Sequence, residues 1–390
     1  MNNFVYDIPT RVYFGTGQLV NLGKELKRFG TRVLLVYGGG SIKRTGLYDT
    51  IVGEISKAGL ELHEFSGIEP NPRHTSVNAG AAICREKNID VVLAVGGGSV
   101  IDASKFICAG RYYNGDIWDF FRDKTTPIER ALPLVTILTL AATGSEMDPG
   151  AVISNMDTHE KIGRADPKLL PKVSFLDPTL TYTVSKYQTA CGSADIFSHI
   201  SETYFARKDN GLYMLDKFAE GIMKTVIRNA PVAMEDPENY EARANLMWAG
   251  SWAINNFIRI DTPNKWSCHP LEHELSAFYD ITHGLGLAIV TPRWMRHVLN
   301  EETLPMFVRF GVEVWEIDYN LPDMEIALEG IRSLEDFLYK DLGLTSNLTD
   351  LGITDEHFEE MAARITKNGP LMGFAPLTKE DCLAIYKACL

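Results

Sequence analysis

No run of apolar residues in this 390-residue chain approaches the ~18 that a membrane-spanning helix needs, so no membrane association is expected. The N-terminus, MNNFVYDIPTRVYFGTG, lacks the basic-then-apolar order of a secretion signal. The six cysteines (84, 108, 191, 268, 382 and 389) show no CxxC spacing. That spacing disfavours a disulfide frame and reads as reduced thiols in a cytoplasmic protein. There is no Lys/Arg block and the net charge is −13, so nucleic acid is not an expected partner. Internal repeats and low-complexity linkers are also missing. On so acidic a chain, an anionic ligand needs local help from backbone N–H groups or a helix N-terminus.

What is present is an ordinary globular balance, 45% hydrophobic and 23% charged, in a length that predicts about two domains. The first ~180 residues alternate strand and helix signals. RVLLVYGGG (32–40) is a β-branched run ending in glycines, and 41–59 reads as an amphipathic helix. Residues 61–72 are extended, 74–88 helical, 91–99 a buried strand, 100–110 helical and 131–140 a strand. AVISN and KVSFLDP read as further strands. Apolar strands alternating with helices predict a parallel sheet covered on both faces. Beyond about residue 183 the strand signals stop. Helical periodicity takes over in 185–206, 211–230 and 238–258, with Pro231, Pro237 and Pro263 expected at helix ends. The expected domains are therefore 1–182, α/β, and 183–390, helical, with the cleft between them as the default ligand site.

Two glycine runs fall at strand ends, where ligands bind in open α/β sheets. These are Gly38-Gly39-Gly40-Ser41 and Gly96-Gly97-Gly98-Ser99, the second followed by Asp102 and Lys105. One such run reads equally as a tight turn; two at successive strands point to a nucleotide. No acid follows the first run, whereas Lys43 and Arg44 do, which favours NADP(H) with NAD(H) possible. Those cations also read as solvated helix charges. Thr139, Thr143 and Ser145 offer hydroxyls in a third loop, or simply make local turns.

The histidines carry the second signal. Asp195 and His199 are four apart on an expected helix, read either as a surface pair or as two metal ligands. CHPLEHELSAFYDITHG (268–284) holds His269, His273 and His283. Imidazoles and a carboxylate suit Fe(II) or Zn(II), and an open position would make the site catalytic.

GGGSVIDASK, TGSE, Asp195-x-x-x-His199 and HPLEHELSAFYDITHG together resemble the iron-dependent alcohol dehydrogenases, over essentially the whole chain. PTRVYFGTG resembles the family's N-terminal strand, and YGGGSIKRTG its NADPH-dependent butanol dehydrogenase and aldehyde reductase branch. The resemblance implies a Rossmann-like dinucleotide-binding domain, an all-α metal-binding domain and an active site in the cleft between them. It implies Asp195, His199, His269 and His283 as ligands of one divalent metal, with His273 beside it as a proton relay. Gly97, Gly98, Ser99 and Asp102 would hold the pyrophosphate and ribose; Gly38 to Ser41 and Asn71 would face the adenosine; Thr139 and Lys161 would add contacts. Leu140 and Ala142 depart from the family's third loop. The implied reaction is hydride transfer between the dinucleotide and a primary alcohol or aldehyde such as butanol or butanal, in a homodimer. Trp252, Phe257, Trp266 and Phe278 are candidates for the substrate pocket. Glycerol dehydrogenase and the dehydroquinate synthase-like lyases are the rival readings.

Overall fold

The structure is a computed structural model that describes residues 4–207, 212–260 and 265–390. Gly211 and Pro263 lie outside the described residues. The chain divides into two compact units: Ile8–Thr183, and Val184–Leu390 with the N-terminal residues through Asp7.

The first unit is built on six parallel strands: β1 (Arg11–Phe14), β2 (Arg32–Tyr37), β3 (Glu61–Phe65), β4 (Val91–Gly96), β5 (Leu134–Leu138) and β8 (Val173–Leu176). Their order is β1-β8-β5-β4-β2-β3. β4, β5 and β8 are buried at every residue, as strands covered on both faces must be, whereas the edge strands β1 and β3 are partly exposed. Helices α1 (Leu22–Lys27), α2 (Ser41–Arg44) and α3 (Leu47–Lys57) follow the first strands. Leu22, Leu26, Ile51 and Ile55 of α1 and α3 join Val33, Leu35, Leu93 and Ile137 in one core. Each such side chain contributes about 1.5–3 kcal/mol by burial. Helices α4 (His74–Glu86) and α5 (Gly98–Gly110) pack together, and a one-turn helix, α6 (Asp119–Arg122), follows.

Three expectations change here. The helix expected over 41–59 is two helices, because Gly46 at φ 77° breaks it. AVISN does not join the parallel sheet. It lies in β6 (Gly150–Asn155), which pairs antiparallel with β7 (Glu160–Ala165) as a separate ribbon. The polar run of β7, EKIGRA, gave no strand signal.

The second unit is built on helices: α7 (Lys186–Ala206), α8 (Tyr213–Glu235), α9 (Tyr240–Ile254), α10 (Cys268–Tyr279), α11 (His283–Val298), α12 (Leu304–Trp315), α13 (Asp323–Asp336), α14 (Phe358–Ile365) and α15 (Lys379–Ala388). α7 is its spine. Every residue from Thr189 to Ala206 is buried, and it packs against α8, α9 and α11. A helix buried all round belongs to a core. Pro231 does not end a helix; α8 runs on to Glu235, with Ala230 and Ala233 buried on either side of the proline. Such a proline costs ~3 kcal/mol locally, and the buried flanking turn offsets it. No helix among the described residues is long and apolar enough to cross a membrane. All six cysteines are free and buried.

Candidate metal centre and dinucleotide loops

Burying α7 carries its polar residues into the core. Asp195, His199 and Glu202 recur at helical spacing and project from one side. α10 contributes His269, and Asp280, in the left-handed region at φ 51°, reverses the chain so that α11 opens on His283. Gly284 makes the approach possible: a Cβ there would lie 2.0 Å from the Cys191 carbonyl oxygen on α7.

The result is a convergence on Asp195 Oδ1. His199 Nδ1 lies 3.6 Å away, His283 Nε2 3.6 Å and His269 Nε2 3.9 Å. Donors bonded at about 2.0–2.1 Å to one tetrahedral cation lie about 3.4 Å apart, so these separations fit such an ion. The donor chemistry agrees. His199 Nδ1 and His269 Nε2 are buried with no hydrogen-bond partner among the described residues, so both are left for a ligand to satisfy. Burial, and next the surrounding imidazoles, push the His199 pKa well below its ordinary value, so it is neutral, the form that binds metal. Grouping by ligand-atom distance puts Asp195, His199 and His269 in one cluster and Glu272, His273 and His283 in another. We place His283 with the first. Its Nδ1 is hydrogen-bonded to Glu272 Oε2, which aims Nε2 at Asp195.

Two residues that the sequence reading passed over support these ligands. Glu202 Oε1 pairs with His269 Nδ1. The same carboxylate accepts backbone N–H bonds from Ser267, Cys268 and His269 at 2.5, 2.7 and 3.0 Å. Ser267 makes no side-chain cap, so Glu202 caps α10 from α7 and fixes the His269 ring in one step. Glu272 likewise holds His283 and accepts from the Ser276 hydroxyl. His273 is half-buried, its ring centroid 5.5 Å from that of His283 and 6.2 Å from that of His269. Of the four aromatic candidates, Trp266 lies at the cluster, 4.5 Å from the His269 ring. Trp252 and Phe257 pack with Phe218 in a separate aromatic cluster, and Phe278 faces His357.

In the first unit the sheet order reverses between β2 and β4, the point at which open α/β sheets take ligands. Gly38–Ser41 follow β2 and Gly97–Ser99 follow β4, so the two runs flank that reversal. Thr139 follows the adjacent β5, its N–H bonded to the Gly96 carbonyl at 3.1 Å. Gly98 has no room for a side chain, since a Cβ would come 2.3 Å from Thr143 Oγ1. The N-terminus of α5 therefore lies against the third loop with no side-chain cap among the described residues. Asn71 adopts φ 50° in the loop after β3, and Lys161 is buried on β7. Asp102 is placed differently from a ribose ligand on an open surface. It is 9% exposed, and its two oxygens accept from the Ser145 hydroxyl at 2.5 Å and the Val152 N–H at 2.8 Å. Lys105, fully buried, donates to Ser145 Oγ at 2.7 Å and to the Gly150 carbonyl. Asp102 and Lys105 thus clamp the third loop and β6 onto α5.

Residues 9–178 match the family model for iron-containing alcohol dehydrogenase. Residues 189–390 match the model for the C-terminal part of the Fe-containing alcohol dehydrogenase family. The chain is 51% identical over 389 residues, 99% of each chain, to NADH-dependent butanol dehydrogenase A of Clostridium acetobutylicum. It is 36% identical over 371 residues, 95% of this chain and 94% of the relative, to the NADPH-dependent aldehyde reductase YqhD of Escherichia coli. Among solved structures, NADH-dependent butanol dehydrogenase A of Thermotoga maritima matches with a TM-score of 0.94 at 38% identity, covering 100% of this chain and 99% of that one.

Proposed function

The chain belongs to the iron-containing alcohol dehydrogenase family, and from that premise we propose that it interconverts a primary aliphatic alcohol and its aldehyde, butanol and butanal being the first pair to test. The observation that carries the reading is the ring of three imidazole nitrogens within 3.9 Å of Asp195 Oδ1, two of them otherwise orphaned.

Asp195, His199, His269 and His283 would hold one divalent cation, Fe(II) or Zn(II), which would supply Lewis acidity toward the substrate oxygen. A nicotinamide dinucleotide held in the other unit would supply the hydride chemistry. The rest is the work of this chain's own residues. Glu202 and Glu272 fix the ring orientations of His269 and His283, so the substrate oxygen meets a site that needs no rearrangement. Trp266 walls the cluster and keeps water from its face. His273, half-buried and adjacent, takes the hydroxyl proton toward solvent in oxidation and returns it in reduction. In the other unit, the backbone N–H groups at Gly97–Ser99, which no side chain caps, receive the pyrophosphate, with Asp102 keeping the loop in register. Gly38–Ser41 and Asn71 face the adenosine, and Thr139 and Lys161 complete the contacts.

The enzyme works in the cytoplasm, where its six thiols stay reduced. It assembles as a homodimer, and size-exclusion chromatography tests that assembly. The central test is Asp195→Ala and His283→Ala. Both variants should lose bound metal and turnover with butanal while still quenching reduced-nicotinamide fluorescence. Full activity in either variant refutes the reading.

A further inference from the structure

We propose that Glu64 selects the dinucleotide, holding Lys43 away from a 2′-phosphate so that the protein favours NAD(H). This deepens the dinucleotide reading above and rests on it. Lys43 is the first cation after the Gly38–Ser41 run, and in the sequence it stands as a ready partner for a 2′-phosphate. In the structure it is already engaged. Its Nζ lies 3.6 Å from Glu64 Oε2, 4.5 Å from the centroid of the Tyr48 ring and 5.3 Å from that of Tyr37. Glu64 in turn accepts from the Tyr37 hydroxyl at 2.9 Å and from the Tyr48 hydroxyl.

The placement matters as much as the pairing. Tyr37 is the last residue of β2, and Glu64 sits on the neighbouring β3, paired with Leu35. A carboxylate therefore reaches the end of β2 from the next strand, where an acid following β2 itself would favour a free 2′-hydroxyl. Burial alone would raise the Glu64 carboxyl, but the two phenol hydroxyls and Lys43 together bring it below its ordinary value, so it is charged at neutral pH. A 2′-phosphate brings about −1.5 to −2 charges and calls for a cation that Lys43, paired with Glu64, does not offer. A 2′-hydroxyl brings none. Arg44, exposed on the same short helix, leaves some tolerance for NADP(H).

The test compares kcat/KM for NADH and NADPH with butanal, using metal-loaded wild type and Glu64→Gln. Wild type should prefer NADH. Glu64→Gln should raise the NADPH-to-NADH ratio roughly five- to tenfold, the scale of one partly exposed unit charge at close range. Adding Lys43→Met to Glu64→Gln should erase that gain. Bound metal and melting temperature report whether each variant is folded. An unchanged ratio in folded Glu64→Gln, or a wild type that prefers NADPH, overturns the assignment of Glu64 alone. A metal-loaded wild type that binds neither dinucleotide overturns the underlying reading as well.

Discussion

Glu202 is the most informative residue to perturb, because it serves the fold and the metal centre through different bonds. Glu202→Gln looks conservative and is not. One carboxylate oxygen accepts from the Ser267 and Cys268 N–H groups, the other from the N–H and the ring of His269. Whichever way the amide is turned, its NH2 faces two donors. A bond to a charged acceptor is worth about 1.5–3 kcal/mol against about 0.5–1.5 for a neutral one, so each bond loses roughly 1 kcal/mol. Three of the four bonds cap α10 whether or not metal is bound, and their loss should destabilise apo and loaded protein alike by about 3 kcal/mol. The fourth orients His269 for the cation, and its loss should weaken metal binding about tenfold or more. Chelator competition for Zn(II), with thermal melts of both forms, separates the two effects. Equal metal affinity in Glu202→Gln and wild type, with both forms melting lower by the same amount, would show that Glu202 is a helix cap and nothing more.

The other expectations are more direct. Gly284→Ala sets a Cβ 2.0 Å from a backbone oxygen of α7, so α11 must move and His283 with it. Loss of bound metal and a melting temperature several degrees lower are expected, and wild-type metal content would refute this. Glu25, buried between β1 and α1, would be raised by burial but is brought below its ordinary value by the Tyr13 hydroxyl and the guanidiniums of Arg28 and Arg11. A depressed folded pKa adds stability above the unfolded pKa and loses it as pH falls through the folded one. Wild type should therefore lose stability below about pH 4 more steeply than Glu25→Gln in urea denaturation, and parallel curves would remove Glu25 from the acid limb.

Much of this arrangement is legible in the residues alone, and the exceptions share a cause. Strand runs such as VVLAVG and the spacing of Asp195 with His199 show themselves because burial on both faces and helical period leave a pattern in one segment. Glu202 leaves no such mark. Seven residues after Asp195, it reads as an ordinary helix charge until α10 is placed with its N-terminus against it. Glu272, inside HPLEHE, is hidden by the histidines beside it. Lys43 and Glu64 sit on separate elements, and their pairing depends on the register of β2 with β3. Trp266 cannot be told from Trp252 by sequence, though one lines the cluster and the other a separate core.

The buried acids also settle why a metal and a core helix should occur together. Asp195, Glu202 and Glu272 are each under 4% exposed, and each faces an imidazole. Three carboxylates in one core carry a large desolvation cost. A divalent cation held at Asp195 would offset much of it, and the orphaned nitrogens of His199 and His269 would gain partners in the same event. Binding the metal would thus be coupled to the stability of the helical unit, in addition to its chemistry. The consequence is measurable: chelation should lower the melting temperature of the whole unit, and Asp195→Asn should narrow the gap between apo and loaded forms. A metal-stripped protein as stable as the loaded one would mean that this core satisfies its acids by other means.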